Sequence, residues 1–171
     1  MRRTPDFESV KTSADLLSVA RLMEERSAER YRELAEAFEI SCNLDTAEAF
    51  RMLAEGEDRH AADFPALVGD APRTIPWGED DPEIADPGAV HYLMHPWHAV
   101  DLALCHEQET LALFTLVAEK SPHAEVRAEA ARLVERETRH VEEMRALRDA
   151  QDIPPEDWED DDDPPNWEAG D

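Results

Sequence analysis

Cysteine, glycine and aromatic residues are all scarce in this chain of 171 residues. The two cysteines, Cys42 and Cys105, lie far apart and form no CxxC pair, which excludes a disulfide framework and a four-cysteine metal module. With only 5 glycines and 35% charged residues, the composition suits long helices better than a turn-rich sheet protein. No apolar run approaches the roughly 18–20 residues of a membrane span. Arg2 and Arg3 are not followed by the apolar stretch of a secretory signal. Basic residues are also few: 17 Lys and Arg stand against 42 Asp and Glu, for a formal net charge of -25. Such a surface repels phosphate backbones and attracts cations. These absences lead to the expectation of a cytoplasmic protein with reduced thiols that binds neither nucleic acid nor membrane.

What is present is helical periodicity. After an irregular arm over residues 1–12, four helical patterns cover about 14–42, 46–68, 96–120 and 121–150. Thr12 or Ser13 caps the first, with Asp15 in its first turn. Asp45 and Glu48 resemble a capping box for the second, Gly69 offers a terminator, and Pro65 predicts a kink in its last turn. Gly56 lies within the second pattern, either for a close approach near a site or as a tolerated glycine. Pro72, Pro76, Pro82, Pro87 and Pro96 forbid a helix over 70–95, which reads as a long crossover with a short turn near residues 89–94. Ser121-Pro122 reads as the cap and first residue of the fourth helix. Residues 13–152 form one bundle, and 153–171 an acidic, Pro-rich tail too polar to order itself, with Trp158 and Trp167 as potential docking points.

The apolar stripes are interrupted at chosen places. The first stripe reads Leu17, Ala20, Ser27, Tyr31, Leu34 and Phe38, with Glu24 in the gap. The second reads Phe50, Leu53, Phe64 and Leu67, with Glu57 and His60 inside it. The third reads Val100, Ala103, Thr110, Phe114 and Val117 around Glu107. The fourth reads Val126, Ala130, Leu133, Met144 and Leu147 around Glu137 and His140. Glu at i and His at i+3 share a helix face. The pattern is doubled: each half supplies one Glu and then one ExxH, and Tyr31 follows Glu24 by seven as Phe114 follows Glu107. Two hairpins joined by a long crossover give an all-α, four-helix topology.

Acidic helices ordinarily carry carboxylates on solvated faces, and a lone stripe histidine is ordinarily a packed core residue. Four glutamates in four apolar stripes are a different case. A buried carboxylate without a partner costs several kcal/mol. Two divalent cations offset four carboxylates, and oxygen and imidazole donors without thiolate suit iron or manganese, with zinc as a further alternative. His91, His95 and His98 form a further set before the third helix, read as surface or packing residues or as an auxiliary metal site. Cys105 falls off the metal-facing stripe and reads as a core residue.

At these residues, across 13–150, the chain resembles the ferritin-like superfamily and within it the rubrerythrin group. The resemblance implies a ferritin-like four-helix bundle with two iron ions per chain. It implies that Glu57 and Glu137 bridge the metals, that Glu24 and Glu107 are terminal ligands, and that His60 and His140 each serve one metal. Tyr31 matches an aromatic position beside the site, which implies a hydrogen-bond donor just outside the ligands. Two departures stand out. Rubrerythrins proper carry a further Glu one turn after the third-helix ligand, where this chain has Thr110, and they carry a rubredoxin domain for which this chain lacks the cysteines. The implied activity is reaction with dioxygen or peroxide, in oxidative-stress defence or iron oxidation, using an external electron donor, in a homo-oligomer that the resemblance makes a dimer. Iron binding and storage is the alternative, followed by a non-catalytic bundle whose acidic tail binds a partner.

Overall fold

A computed structural model of the chain describes residues 9–65 and 90–161. The described residues form four helices and no strand: α1 (Ser13–Ile40), α2 (Leu44–Ala62), α3 (Pro96–Lys120) and α4 (Ala124–Asp149). α1 packs along α2 and α3 along α4 over most of their lengths, while α2 meets α3 and α1 meets α4 less extensively. This is the arrangement of two hairpins in a ferritin-like four-helix bundle. None of these helices is long and apolar enough to cross a membrane.

Local chemistry sets the ends. Thr12 Oγ1 accepts from Asp15 N at 3.1 Å while Asp15 Oδ2 accepts from Thr12 N at 2.9 Å, a reciprocal cap for α1. The cap of α2 is Asn43, not the expected Asp45: its side chain accepts from Thr46 N at 3.3 Å. Its Nδ2 also donates to Tyr92 O at 3.0 Å and Met94 O at 2.7 Å, which ties the start of α2 to the end of the crossover. Cys42, at φ 59°, supplies the left-handed residue of the tight turn between α1 and α2. α2 ends at Ala62, earlier than expected and without a kink. Pro65 disfavours helical backbone at Phe64, so the helix stops before it. By the same effect Pro122 holds Ser121 extended, at φ -56° and ψ 135°, where it closes α3 rather than opening α4. His123 is the cap residue of α4. The expected terminator Gly69, Leu67 and most of the crossover lie outside the described residues. At the crossover's end there is a turn at Tyr92–Leu93.

The core is in two apolar layers. One gathers Tyr31, Phe38, Phe50, Leu53 and Met94. The other gathers Val10, Leu16, Val19, Phe64, Phe114, Val117 and Leu133. Val10 thus anchors the end of the N-terminal arm at 1% exposure. The first stripe begins on Leu16 rather than Leu17, which is half-buried, and Leu147 is exposed in the last turn of the fourth helix. Cys105 is exposed, which corrects its reading as a core residue: it sits between two buried stripe positions on the outward side of α3. Gly56 needs no close approach, since a Cβ there would meet only Arg59 Nη2 at 4.0 Å.

The start of the acidic tail is not loose. Trp158 packs against the first apolar layer, with its ring 4.0 Å from that of His98 and edge-on to His91 at 5.6 Å. Tyr92 donates a hydrogen bond to Asp161. His91 and His98 therefore form a seat for Trp158, and His98 Nδ1 accepts from His95 N at 3.0 Å. Residues 162–171, with Trp167, lie outside the described part.

Candidate metal centre

Between the two apolar layers each helix turns its interrupted stripe position inward. Glu57, Glu107 and Glu137 are exposed by only 3%, 3% and 1%. The side chain of Glu24 is 11% exposed. α2 and α4 add His60 and His140 one turn beyond their glutamates. The six side chains that the sequence singles out come together. His60 Nδ1 lies 3.7 Å from both Glu24 Oε2 and Glu57 Oε2. His140 Nδ1 lies 3.7 Å from Glu107 Oε2 and 3.2 Å from Glu137 Oε2. Donor atoms of Glu24, His60 and His140, of Glu57, His60 and Glu107, and of Glu107, Glu137 and His140 each fall within 4.8 Å of one another, close enough to share an ion. The four carboxylates, with His106 and Thr110, surround a cavity of about 10 Å³, room for about one water, closed by Ala20, Met23 and Phe114.

The electrostatics are those of a site built for cations. Burial drives Glu57 well above the ordinary carboxylate range, helped by its hydrogen bond to Glu24 and by the charge of Glu107. Burial also raises Glu137, reinforced by the charges of Glu24 and Glu107. Burial opposes ionisation of Glu24 too, but His60, Glu57 and Arg136 outweigh it and hold Glu24 at about 2. For His140, burial disfavours the charged form, yet Glu107 and Glu137 raise its pKa to about 9. His60 moves up from 6.5 for the same reason, with Glu24 the main counter-charge. His60 Nδ1, His140 Nδ1 and Glu137 Oε1 are buried without a hydrogen-bond partner. Buried polar atoms of this kind ordinarily find a partner. All three residues belong to the clusters of donor atoms described above, which suits metal coordination by them.

Three residues near the site were not singled out in the sequence. Arg136 lies 3.7 Å from Glu24 Oε1, donates to His60 O at 2.9 Å and stacks its guanidinium 4.1 Å above the Phe64 ring. His106, 9% exposed, shares a 2.8 Å hydrogen bond with buried Ser27 across α1 and α3. Ser27 was read only as a stripe residue, and Arg136 and His106 precede Glu137 and Glu107 directly, one position off the stripe. That offset hides them from a periodicity reading. Tyr31 is fully buried with its ring 6.0 Å from Phe50, and it is not among the residues lining the cavity.

Comparison with known proteins agrees with this geometry. No curated protein matches the chain. A crystal structure of an uncharacterized conserved protein from Magnetospirillum magnetotacticum MS-1 is similar, at 29% identity and a TM-score of 0.54, covering 83% of this chain and 97% of that one. The rubrerythrin family profile matches residues 15–148, a span that contains all four helices' glutamates and both histidines. The chain belongs to the rubrerythrin family of the ferritin-like superfamily.

Proposed function

We propose that this chain holds two iron ions and, when they are reduced, reacts with dioxygen or peroxide. The observation that carries the reading is that the donor atoms of four carboxylates and two imidazoles cluster between the apolar layers, with the four carboxylates lining one cavity. Glu57 and Glu137 would bridge the ions, Glu24 and Glu107 would each bind one, and His60 and His140 would complete one position each. Oxygen and imidazole donors without thiolate accept iron, manganese or zinc, and membership of the rubrerythrin family favours iron among them. A bound iron pair supplies two electrons to an oxidant. The protein supplies the rest. Its apolar layers keep bulk water away. Tyr31 supports the site from the apolar layer beside it rather than lining the cavity. The two cysteines are single and exposed, so electrons for further cycles come from a separate donor.

A second reading, iron uptake and oxidation for transfer or storage, is favoured by the surface hollow that Glu25, Glu29, Glu33, Glu36 and Asp58 line with Arg32. Glu25 and Asp58 directly follow Glu24 and Glu57, so acidic surface adjoins the ligand positions. Rapid mixing separates the two. Reduced, iron-loaded protein mixed with dioxygen or peroxide is expected to oxidise once per site and stall until a reductant is added. Inertness to both oxidants would refute oxidant chemistry, and retention of many irons per chain would favour storage.

A further inference from the structure

The doubled pattern makes the two halves of the site comparable residue by residue. Glu24 corresponds to Glu107, Glu57 to Glu137 and His60 to His140. The residue before each ExxH glutamate does not correspond: it is Gly56 in one half and Arg136 in the other. The side chain of Arg136 reaches across to α2 and to Glu24. Its guanidinium is held at three points, by His60 O at 2.9 Å, by the Phe64 ring at 4.1 Å and by Glu24 Oε1 at 3.7 Å. Only 16% of the side chain is exposed. Among the described residues, Glu107 is paired with His140 and with no arginine or lysine.

We propose that Arg136 makes the two metal positions unequal, so that the position offered by Glu107 and His140 fills before the one offered by Glu24 and His60. This rests on the dimetal reading above. An arginine stays charged at all working pH values, so Arg136 cannot give up its charge when a metal arrives. A cation entering at Glu24 therefore shares that carboxylate with a fixed positive charge, in surroundings that screen poorly. Among the described residues, a cation entering at Glu107 meets no such fixed positive charge. Arg136 thus acts as a positioning residue that holds Glu24 in place before metal arrives and weakens the position Glu24 serves.

The test is anaerobic titration of the metal-free full chain with Co(II), followed by ligand-field absorption and by calorimetry. Two phases separated by roughly tenfold or more in affinity are expected. Arg136→Met, which keeps an apolar stem over Phe64, should strengthen the weaker phase and merge the two, and Arg136→Lys should preserve the separation. His60→Ala should remove the weaker phase and His140→Ala the tighter one. Two equivalent ions in the unaltered protein, an unchanged separation in a folded Arg136→Met variant, or loss of the tighter phase in His60→Ala would each overturn the proposal while leaving the dimetal reading intact. Should Arg136→Met not fold, the histidine variants decide it alone. Binding of no cobalt by folded protein would overturn both.

Discussion

The imidazole rings of His60 and His140 stack 3.8 Å apart and within 8° of parallel, at the point where α2 and α4 face each other. Each ring has glutamates within 3.7 Å, and each is raised toward its charged form by them. The glutamates thus favour the charged form of both rings, and a metal must displace that proton to bind. Ligands must be deprotonated to coordinate. Metal loading near neutral pH is therefore expected to release protons, with affinity rising as pH climbs toward 9, the level to which His140 is raised. Calorimetry in buffers of different ionisation enthalpy measures the count. Proton uptake on loading would contradict these assignments.

The same groups set the stability of the metal-free protein. His140 binds its proton more tightly folded than unfolded, so its contribution is complete below its ordinary value of 6.5 and disappears as pH rises through about 9. The raised Glu57 and Glu137 act in the same direction from their own ordinary value of 4.5 upward. Glu24 acts oppositely: its contribution is present above 4.5 and disappears as pH falls through about 2. The melting temperature of the chelated protein should therefore decline from pH 6.5 to 9, and added metal should remove most of that decline. A rise over this interval would refute the site's charge pattern.

Replacing a bridging carboxylate should separate stability from metal binding. Glu57 is buried and resists ionisation, so Glu57→Gln exchanges a carboxyl that the metal-free fold keeps from charging for a neutral amide of the same shape. The chelated variant is expected to melt at the same temperature or higher. Its metal content should fall further than that of Glu24→Gln, because under the proposed assignment Glu57 would serve both ions. Equal metal losses in the two variants would remove the bridging assignment.

Ser27 and His106 form a buried pair across the bundle, between the diagonal helices α1 and α3, at 2.8 Å. Ser27→Ala leaves a buried ring nitrogen unsatisfied beside the cavity, at a cost of about 1–3 kcal/mol. Chemical denaturation should show that loss, and Ser27→Thr should restore part of it. An unchanged midpoint would mean the pair contributes no net stability.

Trp158 joins the acidic tail to the bundle. Deleting residues 153–171 or making Trp158→Ala should destabilise the fold by about 1–3 kcal/mol, below the cost of a fully buried tryptophan because Trp158 is only half-buried. Metal content should not change, since Trp158 contacts His91 and His98 and none of the six candidate ligands. Loss of metal with the tail would show that the tail organises the centre.

The fold was legible because its signals are periodic. Glu24, Glu57, Glu107 and Glu137 each replace an apolar residue in a stripe, and a stripe position is a burial position. Helix ends were less legible. Asn43 caps α2 because its amide also reaches Tyr92 and Met94, a contact between residues far apart in the chain that no local pattern contains. Arg136 and His106 escaped for a related reason. They neighbour the ligand positions, off the stripe, and reach the site by length or by a partner on another helix. Trp158 resembled part of a solvated tail because its neighbours are acidic, and its seat on His98 exists only once the bundle has formed.

Metal stoichiometry tests the dimetal centre most directly. The full chain is purified, freed of metal, reloaded with ferrous iron without oxygen and desalted, and then iron per chain is measured alongside far-ultraviolet circular dichroism. Two irons per chain are expected, with loss of both in a Glu57→Ala, Glu137→Ala double variant that keeps its helices. Iron near zero in helical, unaltered protein would contradict the assignment of these six residues to a metal centre.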